Sequence, residues 1–277
     1  MASIKQAFFD HDAASADSSA ITGAVFYSIY GKGIYRRSFS LADSSNGVGR
    51  SFQWDEGKLV ANHPNAVVWN AVESGQNWLR HGRDGVEIWP HRDGTQARRL
   101  AINAPLERLA ASQNGHWAAA PDYEHQTVTV CDCRTGQTLT NLPARGIDQI
   151  WFSPDSRRLV ASVERGYSTW ETESWKPGAS WTAHLDSGNP GEIAFSDDGR
   201  LVAARQEREV FRLLSFPDCQ ELVTLKPPLV VPIRNACLSA DGRRLWLLGS
   251  GFRLFEWNLG QLKMELAKMG LDWDREK

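Results

Sequence analysis

Between residues 107 and 146 the chain alternates short apolar runs with polar turns. The runs are Leu109-Ala-Ala, Trp117-Ala-Ala-Ala, Thr127-Val-Thr-Val-Cys and Thr138-Leu-Thr-Asn-Leu. They are separated by a turn at Gly115, a loop at Pro121-Asp-Tyr-Glu-His-Gln and a turn at Arg134-Thr-Gly. Runs this short, bounded by turn residues and without 3.6-residue periodicity, predict a meander of four β-strands.

The pattern repeats. Phe152-Ser-Pro-Asp-Ser-Arg-Arg-Leu-Val-Ala aligns with Phe195-Ser-Asp-Asp-Gly-Arg-Leu-Val-Ala and with Leu238-Ser-Ala-Asp-Gly-Arg-Arg-Leu-Trp-Leu. Upstream the register continues through Ser112-Gln-Asn-Gly-His-Trp, Ser74-Gly-Gln-Asn-Trp-Leu and Tyr30-Gly-Lys-Gly-Ile-Tyr. The turn positions are Gly33, Gly75, Gly115, Ser156, Gly199 and Gly242, with gaps of 42, 40, 41, 43 and 43. Six units of about 40 residues result. A four-stranded sheet cannot cover both of its faces, so such units stack radially, and the expected fold is an all-β β-propeller of six blades, with seven blades or an incomplete ring as the alternative.

Third strands are expected to close at Trp54, Trp89, Cys131, Trp170, Leu213 and Trp257. A large flat side chain there fills the space between neighbouring sheets. The last unit has no fourth strand. Asn258-Leu-Gly-Gln-Leu-Lys-Met-Glu-Leu-Ala-Lys-Met is predicted to be a short amphipathic helix capped by Asn258 and stopped at Gly270. Ser3-Ile-Lys-Gln-Ala-Phe-Phe is the expected donor of the missing strand, pairing outside the strand that ends at Trp257. The domain organisation expected is one propeller over 1–257 and a helix and tail over 258–277.

Composition narrows the function classes. Of 277 residues, 42% are hydrophobic and the net charge is only −2, which disfavours disorder and removes the basic footprint of a nucleic-acid binder. No segment approaches the roughly 20 apolar residues of a membrane span. The N-terminus, running into Asp10 and Asp12, is a poor secretory signal. Four cysteines without zinc-ribbon spacing fit free thiols in a reducing compartment, so a cytoplasmic location is expected.

These residues resemble the WD-repeat family over nearly the whole chain, most clearly over 107–257. The strand-ending Trp-Asp of that family is intact as Trp54-Asp55 and degenerate as Trp89-Pro90, Cys131-Asp132, Trp170-Glu171, Leu213-Leu214 and Trp257-Asn258. Its Gly-His survives as Ala183-His184, so the resemblance implies a structural role for His184. The ending Gly270-Leu-Asp-Trp-Asp is similar to the C-termini of bacterial WD-repeat proteins, including propellers attached to serine/threonine kinases. This chain carries no Gly-rich loop with a strand lysine, no His-Arg-Asp and no Asp-Phe-Gly.

No P-loop, zinc-protease motif, nucleophile elbow or dinucleotide fingerprint is present. Gly31-Lys-Gly33 reads as a hairpin turn, Asp10-His11-Asp12 as a solvated loop, and Cys131 with Cys133 as core thiols. Arg157-Arg158 and Arg243-Arg244 recur after equivalent turns and read as solvated hairpin ends. No cofactor, metal or catalytic group is expected.

Function then falls to the loops that meet on one face, those between second and third strands and those linking blades. From them Tyr123, His125, Arg165, Arg208 and Arg234 are selected as a partner-binding set, because Tyr and Arg carry much of the energy at interface centres. The expected function is a non-catalytic WD-repeat scaffold or adaptor, monomeric, binding another protein or peptide. The alternatives are a regulatory or sensor remnant of a larger kinase-linked protein and a propeller hydrolase or lactonase.

Overall fold

The structure, a computed structural model, describes residues 20–29, 33–43, 50–54, 58–61, 77–82, 85–90, 98–102, 108–184, 191, 193–207, 209–227, 232–239, 241–249 and 253–271. The expected strand donor Ser3–Phe9 and the Asp10-His11-Asp12 stretch lie outside these residues. The chain divides into two compact units, Met1–Val72 with Asn77–Arg99, and Glu73–Gln76 with Leu100–Lys277.

In the first unit, β1 (Ala20–Ile29) and β2 (Gly33–Asp43) form a long antiparallel hairpin with Ile29 opposite Gly33, as the hairpin expectation for Gly31-Lys-Gly33 requires. The expected four-strand meander is not made. β3 (Arg50–Trp54) pairs with residues 39–43 of β2, and β4 (Lys58–Ala61) pairs with residues 34–36 of the same strand. The eleven-residue β2 is long enough to hold both along one edge. A second sheet of this unit has β5 (Asn77–Gly82), β6 (Gly85–Pro90) and β7 (Arg98–Arg99).

The second unit follows the repeat closely. Sheet I contains β8 (Ala110–Ala111), β9 (Trp117–Asp122), β10 (Thr127–Asp132) and β11 (Thr138–Pro143). Sheet II contains β12 (Ile150–Phe152), β13 (Arg158–Val163), β14 (Gly166–Glu171) and β15 (Pro177–Thr182). Sheet III contains β16 (Ile193–Phe195), β17 (Leu201–Arg205), β18 (Phe211–Ser215) and β19 (Glu221–Leu225). Sheet IV contains β20 (Ile233–Leu238), β21 (Arg244–Gly249) and β22 (Arg253–Asn258), then the helix α1 (Leu259–Lys268). Each sheet is an antiparallel meander in chain order. The short first strands lie side by side, β12 against β8 and β20 against β16.

Consecutive sheets pack face to face. Val128, Val130 and Leu142 of sheet I meet Leu159, Ala161 and Trp170 of sheet II. Val160, Tyr167 and Trp181 of sheet II meet Val202, Ala204 and Leu214 of sheet III. Phe211, Leu213 and Leu225 of sheet III meet Leu245 and Leu247 of sheet IV, with Leu259 of α1 in the same cluster. Sheets II and III are therefore covered on both faces. That is why β13 and β17 are continuous apolar runs and not alternating ones.

The third-strand position is occupied by Cys131, Trp170, Leu214 and Trp257, which pair with Ala118, Leu159, Val202 and Leu245. The sequence alignment placed Leu213 there, one residue early. A slip of one residue exchanges the faces of a strand: Leu214 faces sheet II, whereas Leu213 faces sheet IV. Trp170 is buried between sheets I and II, the place expected for a flat ring.

Each first hairpin of this unit uses one turn. Ser112, Ser153, Ser196 and Ser239 donate from Oγ to Oδ1 of the Asn or Asp two residues on, at 2.5–2.7 Å. The same Oγ accepts the backbone N–H five residues on, at 2.9–3.0 Å. The fourth turn residue is left-handed, with φ of +73° at Gly115, +60° at Ser156, +66° at Gly199 and +65° at Gly242. α1 begins where the sequence places it, with Asn258 Oδ1 accepting from Gln261 N at 2.9 Å. It ends at Gly270, φ +75°, where Leu271 N donates to Leu266 O and Gly270 N to Ala267 O.

Candidate functional site

The loops between second and third strands and the linkers between sheets are joined by backbone hydrogen bonds along one edge of the second unit. Gln126 O accepts from Ala144 N at 3.0 Å, and its Oε1 accepts from Gly146 N at 3.0 Å. Glu164 N donates to Arg145 O at 2.9 Å, Ala183 N to Arg165 O at 3.2 Å, and His184 N to Gln206 O at 2.8 Å. Loop and linker thus alternate in one bonded belt from residue 122 to residue 206. Gly166 lets the belt close tightly. Its φ is +136°, and a Cβ there would stand 2.2 Å from Trp181 O.

Tyr123 and His125 sit in the β9–β10 loop of this belt, and Tyr123 is 45% exposed. His125 is locked to Asp122 twice, its N–H donating to Oδ1 at 3.0 Å and its Nδ1 lying 2.8 Å from Oδ2. The side-chain contact with Asp122 raises the His125 pKa, and the His125 backbone N–H lowers that of Asp122. Arg165 is exposed in the β13–β14 loop, beside the exposed Arg145 of the linker. Arg208 lies outside the described residues. Arg234 falls within β20 and not in a linker, because the strand begins at Ile233, where Ile233 pairs with Gly249. Of the selected set, the structure brings Tyr123, His125 and Arg165 onto one belt. Arg145 and His184 join them without having been selected, and the signal available for both was their position in a linker.

The structural role implied for His184 is not taken up by its side chain, which is exposed, while its backbone bonds Gln206. The recurrent arginines behave as solvated hairpin ends. Arg158 meets Glu171 and Arg244 meets Glu256, each at 2.7 Å across neighbouring strands, while Arg157 and Arg243 are exposed. Cys131 and Cys133 are buried, and burial pushes the Cys133 thiol up to about 12, too high for a nucleophile or a metal-binding thiolate near neutral pH. Among the described residues no group of three His, Cys, Asp or Glu side chains is placed to hold a metal, and no helix is long and apolar enough to cross a membrane.

No family model matches the sequence, and no curated protein matches it. Solved structures do. The β-propeller domain of Cps50 (Swd1) from Myceliophteria thermophila is similar with a TM-score of 0.53 at 13% identity, over 71% of this chain and 65% of that one. The chain thus spans about two thirds of that domain's length. At such identity the likeness is one of fold, and it agrees with consecutive four-stranded meanders stacked face to face.

Proposed function

We propose that this propeller-like chain is a non-catalytic interaction scaffold that binds another protein through the belt carrying Tyr123, His125, Arg145 and Arg165. The observation that supports it is the belt itself: exposed aromatic and cationic side chains stand on loops fixed by backbone hydrogen bonds before any partner arrives. Preordered loops lose little entropy on association, so a modest contact area suffices for affinity. Arg145 and Arg165 project from hydrogen-bonded neighbours, and Tyr123 adds a large side chain with few rotamers at their side. The propeller fold of a similar solved domain is compatible with this use without specifying a partner.

Proximity cross-linking in source lysate tests it. Wild-type chain captures a reproducible set of proteins. The pair Tyr123→Ala and Arg165→Glu loses most of that set while melting within a degree or two of wild type, since both side chains are exposed. A capture set unchanged in the double variant would overturn the assignment of this surface.

A further inference from the structure

The junction between sheets II and III departs from the rule that the other two junctions follow. Positions that face the next sheet hold Val128 and Leu142 in sheet I, paired across β10 and β11, and Phe211 and Leu225 in sheet III, paired across β18 and β19. In sheet II the same two positions are Tyr167 and Trp181, stacked at 4.7 Å. The position facing back across the junction is Val163 in sheet II and Gly249 in sheet IV. In sheet III it is Gln206, which continues the side of β17 occupied by Val202 and Ala204. Three places that are apolar or bare at the other two junctions thus carry polar tips at this one.

Only part of that polarity is satisfied. Tyr167 Oη donates to Arg205 O at 3.0 Å. Trp181 Nε1 and Gln206 Oε1 have no hydrogen-bond partner, although their residues are only 8% and 6% exposed. A buried donor and a buried acceptor left open destabilise the free chain, and the other two junctions, which fill these positions with Val, Leu, Phe and Gly, show that sheet stacking does not need them. What they have in common is complementarity to a peptide backbone, which offers a carbonyl to the indole N–H and an N–H to the carboxamide oxygen.

We infer that the junction between sheets II and III is a cleft for an extended peptide segment of a partner protein, one carbonyl of which accepts from Trp181 Nε1 and one N–H of which donates to Gln206 Oε1. This rests on the interaction reading above and names the chemistry recognised. The cleft opens onto the belt, since His184 N binds Gln206 O and Ala183 N binds Arg165 O directly beside it. Turning the Gln206 carboxamide outward breaks no bond at Oε1. The Tyr167–Trp181 stack then forms an aromatic wall for the segment.

The test uses the full chain and an array of random heptapeptides, N-acetylated and C-amidated. Binders are remade as depsipeptides with one ester in place of each amide in turn. Binding is measured for wild type, Gln206→Leu and Trp181→Phe. Gln206→Leu keeps the volume and removes the polar atom, so its melting temperature is expected to equal or exceed that of wild type; Trp181→Phe removes the N–H but also shrinks a buried ring, so its binding is measured well below its own, lower melting temperature. The inference predicts that bound peptides lose about tenfold or more in affinity with either variant, and similarly with the ester at one position, a loss of about 1.4 kcal/mol. Absence of any binder, or binders indifferent to both variants, overturns it. Lysate cross-linking by the two variants separates the failures: partners retained with no peptide effect sink the cleft and leave the scaffold, whereas no partner for wild type sinks both.

Discussion

Ser156 is the one non-glycine among the left-handed positions of the four first-hairpin turns of the second unit, at φ +60°. It is also the place where one turn touches the turn before it, because Ser156 Oγ accepts from Asn114 N at 3.0 Å, linking sheets I and II. Two substitutions separate these roles. Ser156→Ala removes the hydroxyl and keeps a Cβ in the left-handed region, so it loses one hydrogen bond, about 1 kcal/mol. Ser156→Gly loses the same bond but relieves a left-handed strain of about 1–2 kcal/mol, less about 0.4–1 kcal/mol for the extra freedom glycine has when unfolded. The expected order of stability is wild type and Ser156→Gly within about half a kcal/mol of each other, then Ser156→Ala about 1 kcal/mol below wild type.

Urea unfolding, followed by tryptophan fluorescence and far-ultraviolet circular dichroism together, reads the midpoint and tests whether the two signals coincide. Ser156→Ala should also melt about 2–4 °C below wild type. If Ser156→Gly is as unstable as Ser156→Ala, the left-handed strain is no larger than the roughly 0.4–1 kcal/mol of extra freedom that glycine has when unfolded. If Ser156→Ala matches wild type, the bond between the two turns contributes nothing.

Other outcomes follow from the same packing and electrostatics. Trp170→Ala should cost about 3–5 kcal/mol, because the ring fills the space between sheets I and II; a loss below about 1 kcal/mol in urea unfolding would place it at the surface. The His125–Asp122 tie has two edges in pH. Asp122 sits below its ordinary 3.8, so its part is present above that value and fades as pH falls through the depressed one. His125 sits above its ordinary 6.5, so its part is complete below 6.5 and fades as pH rises through the raised value. The tie is therefore strongest between about pH 4 and 6.5, and an NMR titration should show the His125 pKa falling in Asp122→Asn; an unchanged value refutes the pairing. In native chain at pH 8, Cys131 and Cys133 should resist iodoacetamide and react only in urea, as mass spectrometry of peptides would show, since burial raises both thiols.

The second unit was legible because its repeat is written in residues that make the turn. Ser and Asp hydrogen-bond their own backbone, and the Asp241 carboxyl, held below its usual range by the Ser239 hydroxyl, shows how much of the turn is side-chain chemistry. The outer hairpins share no common wording, although Asp132 Oδ1 accepts from Arg134 N in one and Ser215 Oγ from Gln220 N in another. Their turns, closed by Gly136 N to Asp132 O, Trp175 N to Glu171 O and Cys219 N to Ser215 O, put Gly136, Trp175 and Cys219 at positive φ. Trp175 occupies that position while its ring meets Trp117 edge-on at 5.6 Å, a tertiary contact that local propensity does not contain. The alignment put Leu213 where Leu214 stands because the β17–β18 connection is one residue longer than the β13–β14 one: Arg205 pairs with Phe211, whereas the equivalent Ser162 pairs with Tyr167. Arg234 was misplaced for a different reason, since the Pro-rich stretch before it masks the start of β20.

Burial on both faces changes how such a sequence should be searched for function. In a sheet with one wet face, a polar residue is unremarkable half of the time. In sheets II and III every strand position of β13 and β17 between their ends is buried, so a polar side chain there carries a penalty unless something meets it. Exposed loop residues, by contrast, are polar for solubility alone, and choosing among them by residue type gave Tyr123, His125 and Arg165 together with Arg234, which is in a strand. Comparing the four sheets position by position is the stronger filter, because each repeat serves as the control for the others. It singles out Tyr167, Trp181 and Gln206 with no appeal to exposure, and it ties the belt to a junction that, among the described residues, keeps an unmet donor and an unmet acceptor.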